Sequence, residues 1–182
     1  PTTSTQNQTS QAIFATAFYD LTDTLELSAG LRFDHQEANV SGTVGQYSAD
    51  ELQPRLTLTQ HWSDNHMSYV SIARGFRGGG ANTPGGPLPF YQGDSVWTYE
   101  LGDKFTSDDH TLTLNTAIYY NDSQHYIGQN GLTPTLQAVN LNTGDVTSYG
   151  VEVEGIWSPR EMFQLTGGLT YNNTRITADT DF

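Results

Sequence analysis

From Ala12 onward, apolar residues recur at every second position, and no stretch sustains the three-to-four-residue spacing of a helix face. The pattern is plainest in Leu25, Leu27, Ala29, Leu31 and Phe33, which alternate with Glu26, Ser28, Gly30, Arg32 and Asp34. It returns in Leu112, Leu114, Thr116, Ile118 and Tyr120, and again in Phe163, Leu165, Gly167, Leu169 and Tyr171. Successive side chains of a strand point to opposite faces, so each segment has one face suited to oil and one suited to water. Weaker versions over residues 13–21, 55–62, 67–76, 97–105 and 149–157 bring the expected number of strands to eight.

The connectors between these strands alternate in length. Short polar turns are expected at 20–24, 63–66, 106–110 and 158–162, and long loops rich in Gly, Pro, Asn and Ser at 38–53, 77–93 and 124–143. A soluble sandwich mixes connection lengths at both ends, whereas short turns at one end and long loops at the other describe an antiparallel membrane barrel. The aromatic residues test this separately, because barrels carry them in girdles where hydrocarbon meets water. Tyr19, Trp62, Phe105, Trp157 and Phe163 flank the short turns on the apolar parity and form the expected girdle there. Phe33, Trp97, Tyr99, Tyr120, Tyr149 and Tyr171 lie in the halves toward the long loops, and the strand middles hold Leu, Val, Ala, Ile and Gly. A soluble core would place the large rings in the middle.

Composition narrows the reading further. The chain has 182 residues, seven Lys plus Arg against 20 Asp plus Glu, and a formal charge of -13. With no uninterrupted apolar run of about 18 residues, a transmembrane helix is excluded, and strands are not. The basic residues are scattered singly, which argues against nucleic acid as a partner. The absence of Cys removes disulfides, thiolate zinc sites and cysteine nucleophiles. Pro1 to Gln11 lacks the basic flank and apolar segment of an export signal, which places any such signal upstream. Charges of both signs fall on the polar parity. Glu26, Arg32, Arg55, Glu100, Lys104, Glu152 and Glu154 are expected to face the barrel interior, toward water or a plug. Two charges break the rule. Asp103 has the apolar parity between Leu101 and Phe105 near a turn, where it costs about 0–1 kcal/mol and is expected to be tolerated. Arg74 is expected to reach lipid headgroups or acidic lipid sugars.

The run from Arg74 to Gly80 is glycine-rich, but no Gly-Lys-Ser/Thr follows and no helix begins there, so it is no phosphate loop. Five His residues, at 35, 61, 66, 110 and 125, lack metal-ligand spacing. No catalytic site, metal or cofactor is expected. The better candidates are loop residues that can stack on or hydrogen-bond a ligand: Asn82, Phe90, Tyr91 and Gln92, then Tyr126, Asn130 and Gln137. The alternative for these loops is a self-packed surface. Asp50, Glu51 and Asp94 are expected to repel a bare anionic chelate unless a cationic patch elsewhere offsets them.

In order along the chain, Pro54-Arg-Leu-Thr-Leu58, Tyr69-Val-Ser-Ile-Ala-Arg-Gly-Phe-Arg77, Trp97-Thr-Tyr-Glu-Leu-Gly-Asp-Lys-Phe105 and Ser148-Tyr-Gly-Val-Glu-Val-Glu154 resemble the barrel of TonB-dependent outer-membrane receptors. Residues 19–33 and 112–122 fit the same pattern, and Tyr-Glu-Leu-Gly-x-Lys and Tyr-Gly-Val-Glu weigh most. Such receptors are plugged barrels of about 22 strands. The resemblance therefore implies that residues 1–182 are one part of a barrel wall, with the plug domain and remaining strands outside it. It further implies the outer membrane of a Gram-negative bacterium, lipid and plug as partners, energy from the TonB complex, and a small-molecule ligand such as a ferric siderophore. Two alternatives stand beside it: a complete eight-stranded barrel of adhesin or structural type, and a soluble carbohydrate-binding sandwich. Pairing of residues 13–21 with 163–172 would mark the small barrel.

Overall fold

Alternation of this kind satisfies a chain only when backbone groups pair with neighbouring strands, and a computed structural model of residues 5–40, 46–82, 88–132 and 138–179 shows how they do so. Eight long strands form one sheet: β1 (Gln6–Asp20), β2 (Leu25–Val40), β3 (Tyr47–Ser63), β4 (His66–Arg77), β7 (Asp94–Thr106), β8 (Leu112–Gln124), β11 (Gly144–Arg160) and β12 (Phe163–Asp179). Two small hairpins interrupt the series, β5 (Gly80–Ala81) with β6 (Phe90–Tyr91), and β9 (Ile127–Leu132) with β10 (Ala138–Asn142). The sheet order is β1-β2-β3-β4-β7-β8-β11-β12, with every ladder antiparallel. The fold is all-β, as expected, and no helix among the described residues is long and apolar enough to cross a membrane.

The register lines the two parities up across the whole sheet. One cross-strand row runs Tyr19, Leu27, Leu58, Val70, Leu101, Ile118, Val151, Tyr171, and is apolar throughout. The adjacent row runs Phe18, Ser28, Thr57, Ser71, Glu100, Tyr119, Gly150, Asn172. Tyr19 is one residue from the turn end of β1 and Tyr171 is eight residues from the turn end of β12, so the sheet is sheared by seven residues. With the turns level, that is a strand tilt of roughly 35°, near the barrel range.

Burial is the reverse of a soluble domain. On the apolar face Val70, Leu101 and Ile118 are 56%, 51% and 55% exposed, while Ser71 and Asp34 on the polar face are 5% and 3% exposed. No second layer covers the apolar face among the described residues, so the fold is not a sandwich. The buried apolar residues Ala38, Tyr47 and Val146 lie at the loop ends of β2, β3 and β11, and Val139 lies in β10 of a small hairpin. β1 and β12 are the two edges of the sheet and share no ladder, so the closure that a small eight-stranded barrel needs is not formed.

Strands extend well past the expected boundaries at the loop end. β2 and β3 continue as a ladder to Ala38 and Tyr47, across residues assigned from sequence to a loop. His35, Glu37, Ser48 and Asp50 occupy the face that is apolar elsewhere, so the period-two signal fades while backbone pairing continues. The β3–β4 ladder is shorter and begins at Arg55 with Ala73; Pro54, with no N–H to donate, lies just beyond it.

Candidate functional site

The polar face is built around two tyrosines that lie flat on glycines of the next strand. A Cβ at Gly102 would fall within the Tyr69 ring, and one at Gly150 would strike the Tyr119 ring. Tyr69 Oη donates to Glu100 Oε1 at 2.5 Å, and Lys104 Nζ stands 5.9 Å from the centre of the same ring. Glu100, Gly102 and Lys104 of the Tyr-Glu-Leu-Gly-x-Lys segment thus serve one neighbour. Each alternate residue faces the polar side, which explains the spacing of the motif. Arg32 grips Asp34 through Nε and Nη2 at 2.6 and 2.7 Å, and Gln53 Nε2 donates to the same carboxylate at 2.6 Å. Glu26, Arg55, Glu152 and Glu154 stand on this face too, opposite Thr59, Gly30, Thr170 and Gly168.

Toward the loop end the polar face opens into a concavity of about 430 Å³, lined in part by Arg77, Asp94, Thr98, Asn121, Tyr126 and Ser148. Thr98 Oγ1 donates to Asn121 Oδ1 at 2.8 Å, and Asn121 Nδ2 donates to Ser148 Oγ at 3.2 Å. Arg77 Nε donates to Asp94 Oδ1 at 2.9 Å, and Nη2 closes on Oδ2. Asp94 Oδ2 also accepts from Ile127 N at 2.9 Å, and the Arg77 guanidinium lies 5.0 Å over the Tyr126 ring. The hydrogen bond to Asp94 holds Arg77 still more firmly protonated than usual. One ion pair therefore fastens the β9–β10 hairpin to the ends of β4 and β7.

The two small hairpins are tied to one another. Asn82 Nδ2 donates to Asn140 O at 3.0 Å while Asn140 N donates back to Asn82 Oδ1 at 2.8 Å. Gln92 N donates to Asn142 Oδ1 at 2.9 Å, and Asn142 Nδ2 donates to Gln92 O at 3.0 Å. Gly79 N donates to the hydroxyl of buried Tyr47 at 2.9 Å, and a Cβ at Gly79 would run into that ring and into the Tyr91 carbonyl. The glycine run is a joint where bare backbone passes over Tyr47, which is what its lack of side chains permits.

Of the loop residues singled out from sequence, Asn82 is buried with both ends of its amide engaged on Asn140. Phe90 and Tyr91 form β6 and are half-exposed, Gln92 is exposed, and Tyr126 is 38% exposed over Arg77. Asn130 lies in β9, its side chain outside the described residues, as is Gln137. Sequence reasoning missed Tyr47, Asn140 and Asn142, which hold the loops together. The glycine run was the available sign of a close approach near Tyr47; nothing local marked the two asparagines.

Charges near the loops pair differently from expectation. Asp50 lies 2.6 Å from His35 Nδ1, Glu51 2.6 Å from Arg74 Nη1, and Asp94 holds Arg77. Each acid named as a source of repulsion faces a base of this same chain. Arg74 does not extend outward: Nη1 also donates to Leu52 O at 2.8 Å, spanning the space beyond Pro54 where the β3–β4 ladder has ended.

On the apolar face Tyr19, Trp62, Phe105, Trp157 and Phe163 gather at the turn end, and Trp157 meets Phe163 edge to face with centroids 6.2 Å apart. The family described as TonB dependent receptor-like, beta-barrel matches the chain over residues 1–182. A pesticin receptor of Yersinia enterocolitica is 29% identical over 163 residues, covering 80% of this chain and 23% of that protein. The ferric yersiniabactin uptake receptor of Yersinia pestis superposes with a TM-score of 0.76 at 21% identity, covering 96% of this chain and 28% of the other. The ferripyoverdine receptor of Pseudomonas aeruginosa superposes with a TM-score of 0.73 at 17% identity, over 96% and 24% of the two chains. The chain spans about a quarter of the length of these relatives.

Proposed function

Because the chain belongs to the TonB-dependent receptor β-barrel family, we propose that it forms part of the wall of an outer-membrane receptor that imports a ferric siderophore. The remaining strands and the plug belong to the same longer protein, and the TonB complex supplies energy through that plug. The observation that carries this reading is the inverted sheet: an apolar face left open, a polar face packed, and interlocked hairpins over the polar face at one end. The apolar face meets lipid of a Gram-negative outer membrane, with the short turns in the periplasm and the hairpins outside the cell.

In this reading Phe90, Tyr91, Gln92, Tyr126 and Asn130 contact ligand. Asn82 supports them by holding Asn140. Aromatic rings on a braced loop suit the flat metal-binding groups of a chelate, and Arg77 offers its exposed edge to negative charge. The test is uptake of a panel of ferric siderophores by cells with and without the receptor. Loss of one member of the panel on deletion is the expected result, with binding of that member weakened about tenfold by Phe90→Ala or Tyr126→Ala. Uptake of every chelate at the parental rate would overturn the proposal.

A further inference from the structure

Asp103 is a carboxylate on the face that otherwise meets lipid. It stands between Leu101 and Phe105, opposite Ser68 on one side and Thr116 on the other, with its side chain 40% exposed. Oδ2 accepts from Ser68 Oγ at 2.6 Å and lies 2.9 Å from His66 Nε2. Both contacts fall on the one oxygen, and Oδ1 has no hydrogen bond among the described residues. Asp103 has no lysine or arginine partner there either.

Aromatic rings frame the group. Trp62 Nε1 donates to Ser68 Oγ at 2.9 Å, its ring is 6.4 Å from that of His66, and His66 meets Phe105 edge-on at 5.8 Å. The arrangement is no acyl-transfer triad, since hydroxyl and imidazole each bind the carboxylate and not one another. On the same face an apolar concavity of about 650 Å³ begins at the row of Leu58, Val70, Leu101 and Ile118 and continues toward the loop end over Ile72 and Tyr99.

We propose that Asp103, oriented by Ser68 and His66 and framed by Trp62 and Phe105, binds the ammonium headgroup of a phospholipid in the periplasmic leaflet, with an acyl chain along the concavity above it. A carboxylate with one free oxygen beside aromatic faces is complementary to an ammonium group and repels anionic headgroups. The lipid is the occupant because the site opens between apolar side chains, where a soluble amine would have nothing to cover Leu101 and Val70. The inference rests on the membrane placement proposed above.

The experiment uses the complete receptor in nanodiscs of mixed phosphatidylethanolamine and phosphatidylglycerol, with retained lipid counted by native mass spectrometry after release. Retention of phosphatidylethanolamine over phosphatidylglycerol, reduced about fivefold by Asp103→Asn and lowered also by Ser68→Ala, is the expected result. Asp108→Asn, a turn acid bonded to Asn65, should leave retention unchanged. Equal retention by the wild type and Asp103→Asn overturns the site, as does an equal loss in Asp108→Asn. If Asp103→Asn does not assemble, headgroup preference of the wild type and the effect of Ser68→Ala decide alone, and absence of either overturns it. A receptor that fails to enter nanodiscs refutes the membrane placement instead, which separates the two failures.

Discussion

Gly102 and Gly150 show how single residues carry the two most diagnostic segments of the sequence. Each gives up a side chain so that a tyrosine of the neighbouring strand can lie across it, and the bare backbone is covered from the side. Gly102→Ala is expected to destabilise the assembled barrel by about 1–3 kcal/mol through overpacking against Tyr69, read as a drop in its unfolding transition. Adding Tyr69→Ala removes the obstructing ring, so the double variant should lose less than the sum of the two single changes. Strict additivity would show that ring and glycine do not meet. The spacing of Glu100, Gly102 and Lys104 was legible in the sequence as three positions on one face; their common partner was not, because Tyr69 lies on another strand and only the register brings it there.

At the scale of the element, the turns and the loop hairpins are held by different means. The turn between β7 and β8 is closed by Asp109, which accepts from Ser107 Oγ at 2.6 Å, Thr111 N at 3.1 Å and Thr111 Oγ1 at 2.9 Å. These bonds, that from Ser107 first, hold its carboxyl below the usual carboxylate range. The native turn thus binds its proton less tightly than the unfolded chain does. Its contribution is complete above about pH 4 and is lost as pH falls through the lowered native value. Hydrogen exchange at Thr111 N, corrected for its intrinsic rate, should stay constant above that range and accelerate below it. The hairpins depend instead on the reciprocal Asn82–Asn140 and Gln92–Asn142 bonds. Asn82→Ala leaves the part-buried backbone N–H and C=O of Asn140 without these partners, a cost of about 1 kcal/mol. Limited proteolysis should then cut in the β5–β6 and β9–β10 hairpins before the long strands.

For the molecule as a whole, the open edges and the sorted faces matter most. β1 carries Phe14 and Phe18 on the polar parity, 72% and 67% exposed, and like β12 it presents unpaired backbone along one side. The segment expressed by itself in detergent is therefore expected to self-associate through these edges, visible by sedimentation. A monomer with the heat-dependent gel mobility of a closed barrel would refute the open-sheet arrangement. The formal charge of -13 is also distributed rather than uniform, since Asp34, Glu51 and Asp94 each face an arginine and Asp50 faces His35. The sequence by itself determined the eight long strands of the main sheet, its two faces and the end at which short turns lie, because parity and turn composition are local properties of a chain. It understated the strands where the apolar face turns polar and missed the small hairpins in the loops. Only the tertiary structure decided which charges neutralise which, why Asn82 is buried, and that Asp103 has Ser68 and His66 beside it on the apolar face. Those pairings depend on register and shear summed over several strands, and a strand's own residues carry no record of the neighbour it will meet.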